Sequence, residues 1–131
     1  MTDGDPVTVY DAVGGQPFFD ALAARFYDRV RVDATLRPLY PEDEAAFTAS
    51  ERWLALFLGQ YWGGPTTYSE QRGHPRLRMR HNGFLVGPRE RDAWLAGMTA
   101  AVAEADVDEE IRLRLRDYFA MAAEHLVNAP Q

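Results

Sequence analysis

Residues Tyr61 to His81 read Y-W-G-G-P-T-T-Y-S-E-Q-R-G-H-P-R-L-R-M-R-H. An aromatic pair breaks at Gly63, Gly64 and Pro65, which is how a helix ends abruptly. Residues 63–74 read as a loop, and a dozen residues is long for a connection in a compact domain. Pro75 then stands where the first residue of a helix would stand, opening a short Arg-rich segment that closes at Asn82-Gly83. His81 lies at the end of that segment. At spacings of four and three it shares a helical face with Leu77 and Arg78, so an apolar contact and a cation flank the imidazole. Such a face suits a flat apolar ligand with acidic groups, held through a metal by a single imidazole. The alternative is a histidine capping the end of a short basic helix.

On either side of this stretch the chain reads as helix. Phe19, Leu22, Phe26 and Val30 recur at three-to-four spacing, flanked by Phe18, Ala23 and Tyr27, and this helix ends at Asp33 and Pro38. Tyr40-Pro41 marks a corner. A second helix is expected from about Glu42 to Gln60. Its apolar face is Phe47, Leu54, Phe57 and Tyr61, widened by Leu58 and Trp62. A third starts at Pro88 with Trp94, Leu95, Met98, Ala101 and Val102 on one side. A fourth starts near Asp106 or Asp108, carboxylates suited to a helix N-terminus, with Ile111, Leu115, Tyr118, Phe119, Ala122 and Leu126 inward. No strand-like alternation persists. Residues 1–9 read as a flexible tail, and residues 10–131 as one domain of about the commonest size.

Composition narrows the function. There is no cysteine, which removes disulfides, thiolate metal sites and a cysteine nucleophile. The formal net charge is -6, which argues against nucleic acid as a partner. All fourteen basic residues are arginine. Those between Arg72 and Arg91 form a basic patch, either for carboxylates of a ligand or simply as a solvated face. No apolar stretch is long enough to span a membrane. The opening M-T-D-G-D-P carries no signal-peptide pattern, so a cytoplasmic location is expected. Of the three histidines, His74 precedes Pro75 and is held extended, as a loop hydrogen bonder. His125 sits at the edge of the last apolar stripe. His81 differs in sharing its helical face with Leu77 and Arg78, which leaves it open as a metal ligand or as a helix-end cap.

Taken in order, Tyr10-Asp11-Ala12-Val13-Gly14-Gly15, Tyr40-Pro41-Glu42-Asp43, the Tyr61–His81 stretch, Glu90-Arg91-Asp92-Ala93-Trp94-Leu95 and Leu126-Val127-Asn128 resemble the truncated hemoglobins, specifically group II. The resemblance implies an all-α truncated globin, a two-over-two helical sandwich around heme b. His81 matches the proximal iron ligand. Tyr27 matches the distal tyrosine, Tyr40 the corner tyrosine, and Trp94 the indole that marks group II. Ser50 matches the position that is histidine in many globins, with Leu54 one turn on. The implied function is reversible binding of dioxygen at a five-coordinate ferrous iron. Nitric oxide and carbon monoxide are further diatomic ligands.

The resemblance leaves an enzymatic alternative, a nitric oxide dioxygenase or peroxidase fed by an external reductase. A heme-free helical interaction module and a homo-oligomer are the other options carried. Related sequences often carry arginine where this chain has Trp53 and Ala55, so Arg78, Arg76 or Tyr68 is expected to hold the heme propionates. Asn82-Gly83 replaces a less flexible family sequence. Ser50 is small, which leaves access to the pocket under the control of Trp94.

Overall fold

The computed structural model describes residues 7–72 and 86–127. His74, the segment opening at Pro75, Arg76, Leu77, Arg78, His81 and Asn82-Gly83 lie outside them. Among the described residues every regular element is helical. In chain order these are α1 (Val9–Ala12), α2 (Gln16–Val32), a 3-10 turn (Arg37–Leu39), α3 (Glu44–Tyr61), α4 (Thr67–Arg72), α5 (Pro88–Ala103) and α6 (Glu109–Leu126).

Local chemistry sets most of these boundaries. The Thr8 hydroxyl oxygen accepts from Asp11 N at 3.0 Å, and α1 stops at Gly14 and Gly15, whose φ values of 93° and 89° suit glycine. Thr8 and Val9, which were expected in the tail, pack with the domain: Thr8 caps α1 and Val9 is buried. Asp33 ends α2 and its Oδ1 accepts from Thr35 N and Leu36 N at 2.8 and 2.9 Å, an Asx turn that redirects the chain into the 3-10 turn. Asp43 caps α3 through Ala46 N at 2.9 Å. Gly63, with φ 110°, terminates α3, and Gly64 N donates to Gly59 O at 2.8 Å. Gly87 N donates to Glu90 Oε1 at 2.9 Å at the start of α5.

The stretch read as a loop contains α4. Its anchor is the Gln60 side chain, which donates to Ser69 Oγ at 2.7 Å and accepts from Ser69 N at 3.0 Å. A helix of six residues does not persist by propensity. It persists here because the end of α3 holds it and because Tyr68 is buried beneath it.

Helix α2 lies against both α3 and α5, and α5 lies against α6. The four long helices therefore form two pairs, with Phe19, Phe26, Phe47, Phe119, Leu22, Leu58, Met98 and Leu115 at the centre. At the α2–α5 crossing Gly97 faces Phe26, where a Cβ would come within 3.1 Å of the ring. The absence of a side chain is what lets the helices approach. Arg112 donates to Val102 O, Ala103 O and Val107 O at 2.6, 3.1 and 3.2 Å. It adds a side-chain donor to Val102 O, which also accepts from Ala105 N at 3.1 Å, and by reaching Ala103 O and Val107 O as well it ties the end of α5 to the α5–α6 turn.

Candidate functional site

Three side chains from three elements converge: Tyr27 on α2, Tyr40 after the 3-10 turn and Trp94 on α5. They are 4%, 8% and 5% exposed. The Tyr27 and Tyr40 rings are 5.3 Å apart and edge-on. Phe26 bridges Tyr27 and Trp94, with ring centroids at 5.6 and 6.0 Å, and Phe47 closes the group at 5.2 Å from Tyr27. Sequence periodicity places each ring on an apolar face. It does not bring the three polar tips together, because they lie on separate elements.

The electrostatics make these groups neutral donors. Burial pushes the Tyr27 phenol well above its ordinary range. Tyr40 and Glu51 add to that rise, and a hydrogen bond with Ser50 offsets it in part. Burial also pushes Tyr40 up, and the Trp94 indole, which can only donate, works the other way. Ser50 Oγ also donates to Ala46 O at 3.1 Å, which holds its hydroxyl on α3 beside the Tyr27 phenol. The two phenols therefore keep their protons at neutral pH. A tyrosine that ligates iron does so as phenolate, so neutral phenols suit hydrogen bonding rather than ligation.

Helix α3 supplies the adjoining wall. At about 100° per residue the expected apolar face splits in two. Phe47, Ala55, Leu58 and Gly59 are buried. Ser50, Leu54 and Phe57 follow on the neighbouring side and are only partly covered, and Tyr61 is 51% exposed. A single packed face needs no second apolar stripe at three-to-four spacing beside it. That stripe, ending at Ser50 beside three neutral donors, fits a flat apolar group such as heme carrying a polar diatomic ligand.

Tyr68 sits at the other end of α3. Its ring is edge-on to Phe57 at 5.5 Å and to Trp53 at 6.1 Å. The Arg52 and Arg72 guanidinium groups lie over the Trp53 ring at 5.3 and 4.9 Å. Sequence reasoning singled out Tyr68 and Trp53 but missed Phe57 as the residue joining them to the stripe. It also missed Phe26 as the bridge to Trp94. The i, i+3 spacing of Leu54 and Phe57 was a usable signal for the first. His125 is exposed, beside buried Leu126.

Comparison with known proteins places this architecture. The bacterial-like globin family matches residues 8–128. Group 2 truncated hemoglobin YjbI of Bacillus subtilis is 38% identical over 91% of this chain and 87% of its own length. The solved thermostable hemoglobin of Thermobifida fusca is 50% identical, with a TM-score of 0.89 over 95% of this chain and 100% of that one. A solved truncated oxygen-avid haemoglobin of Bacillus subtilis is 37% identical, with a TM-score of 0.84 over 93% of this chain and 100% of that one. With two pairs of packed helices, a buried donor trio and matches along almost its whole length, the chain belongs to the bacterial-like globins and, among them, to the group II truncated hemoglobins.

Proposed function

We propose that this chain holds heme b through His81 and reversibly binds dioxygen. The globin family implies heme and diatomic gases; the heme type, the ligand residues and the reversible binding are our reading. The observation that carries it is the convergence of Tyr27, Tyr40 and Trp94, three buried neutral donors beside the partly covered stripe Ser50–Leu54–Phe57. The oxygen-avid Bacillus subtilis relative supports the choice of ligand.

When bound, ferrous heme with one neutral imidazole supplies an open coordination position for a diatomic ligand. His81 is the residue for that imidazole. Leu54 and Leu77 would be the apolar contacts for the macrocycle, and Arg78 and Tyr68 would be the partners for its propionates. Donors beside a partly negative diatomic ligand in a dry pocket would stabilise it, the Trp94 N–H turning to it from the Tyr40 phenol that it faces here. Tyr27 and Tyr40 bring O–H groups and Trp94 an N–H, with Ser50 orienting the Tyr27 phenol. Slow oxygen release follows.

The test is a spectrum of hemin-loaded protein. A Soret band, and a ferrous spectrum that changes under oxygen and returns on its removal, are expected. Absence of a Soret band would leave a helical interaction module. Turnover of nitric oxide or peroxide with an added reductant separates the enzymatic alternative from an oxygen carrier. The reductase, if any, is a separate protein.

A further inference from the structure

The aromatic contacts do not end at the donor trio. The Trp94 ring is 6.0 Å from Phe119, Phe119 is 5.2 Å from Tyr118, and Tyr118 is 4.3 Å from Tyr61. A second approach to Tyr61 runs along α3 from Phe57 at 6.4 Å. The series begins at buried Trp94 and ends at Tyr61, which is the large exposed aromatic among the described residues. Core packing alone accounts for Phe119 and Trp94. It does not account for a tyrosine set against the outer side of a second, partly covered tyrosine, the rings tilted by 38°, with half of its surface in water.

In a chain without cysteine, tryptophan and tyrosine are the side chains that give up an electron most readily. An oxidised tyrosine also needs to lose its proton. Burial, and the Tyr61 phenol beside it, hold the Tyr118 phenol well above its ordinary range, so Tyr118 is poorly placed to release one. Tyr61 can give its proton to water.

We propose that the rings Trp94, Phe119, Tyr118 and Tyr61 carry oxidising equivalents from the heme pocket to the surface, where Tyr61 is oxidised and in turn oxidises small one-electron donors such as phenols. The oxidant is hydrogen peroxide. Its O–O bond breaks as it takes two electrons and two protons and becomes two water molecules. Tyr61 supplies one electron and one proton in each of two successive steps, becoming a phenoxyl radical each time. An external donor restores it after each step by giving a hydrogen atom, or the phenoxyls of two protein molecules couple through a new carbon–carbon bond. This rests on the heme reading above, because the pocket must hold the group that reduces peroxide.

The experiment treats ferric, hemin-loaded protein with peroxide and a nitroso spin trap, then maps adducts by peptide mass spectrometry, with heme-free protein as the control. The adduct is expected on Tyr61, with covalent dimers on a denaturing gel when the trap is omitted. Tyr61→Phe should abolish both. Tyr118→Phe keeps the ring and its packing but removes the oxidisable phenol. It should cut Tyr61 labelling about fivefold or more, with the Soret band and the rate of peroxide loss unchanged. A normal Soret band with the adduct elsewhere, or Tyr61 labelling that ignores Tyr118→Phe, overturns the proposal and leaves the heme reading intact. Failure to bind hemin overturns both.

Discussion

Replacing Trp94 with Phe tests the donor trio at its most distinctive member. Trp94 is buried, with the Phe26 and Phe119 rings each 6.0 Å away, and its indole N–H interacts with the Tyr40 phenol. Phe keeps most of the ring packing and removes the donor. A hydrogen bond to a charged or strongly polarised group is worth roughly 1.5–3 kcal/mol. If that loss falls wholly in dissociation, oxygen release should accelerate by about ten- to more than a hundredfold. Stopped-flow displacement of oxygen by carbon monoxide measures it.

Stability should fall separately. Losing the partner of Tyr40 and part of the indole volume costs about 1–2 kcal/mol, and lowers the Tm of the heme-free chain by roughly 5 °C. The Tyr40 phenol gains freedom to turn in this variant, so Trp94→Phe with Tyr40→Phe should release oxygen faster than Trp94→Phe alone. Unchanged release in Trp94→Phe, with fast release in Tyr27→Phe, would make the indole a packing residue and the donor reading wrong.

His81→Ala should abolish stable heme incorporation, or leave heme that added imidazole rescues, whereas His74→Ala and His125→Ala should keep a normal spectrum; normal five-coordinate ferrous heme in the His81 variant would remove it as the ligand. High pH should destabilise the heme-free fold steeply. Tyr27, Tyr40 and Tyr118 are all held above their ordinary value by burial. Their contribution is complete below the unfolded value of about 10 and is lost as pH rises above it, because the unfolded chain releases protons that the fold retains. The three together permit a slope of as much as about 4 kcal/mol per pH unit. Denaturant titrations between about pH 9 and 11 should show it, with a shallower slope in each Tyr→Phe variant. Gly97→Val should cost about 1–3 kcal/mol by overpacking, read as a lower Tm, since even a Cβ there meets Phe26 at 3.1 Å; an unchanged Tm would mean that the crossing is looser than it looks.

Local chemistry made several features legible in the sequence. Pro88 marks a helix start and Gly63 a helix end, because terminal preferences and positive φ depend on a few adjacent residues; the start expected at about Glu42 lies at Glu44, capped by Asp43. The Phe19–Leu22–Phe26–Val30 face was readable because one helix buries one side. The family was legible because its motifs recur in order along the chain. Tertiary structure decided what depends on distant partners. Helix α4 forms inside an apparent loop because Gln60 grips Ser69. Val9 is buried because Tyr10 N donates to Trp62 O at 2.9 Å, far along the chain. The apolar arc of α3 splits because α2 covers only Phe47, Ala55, Leu58 and Gly59, leaving Leu54, Phe57 and Tyr61 on the other side. Tyr27, Tyr40 and Trp94 become a donor trio, and Trp94 is joined by rings to exposed Tyr61, only when α2, α3, α5 and α6 pack. Periodicity reports which side of a helix is apolar, and only packing assigns what lies against it.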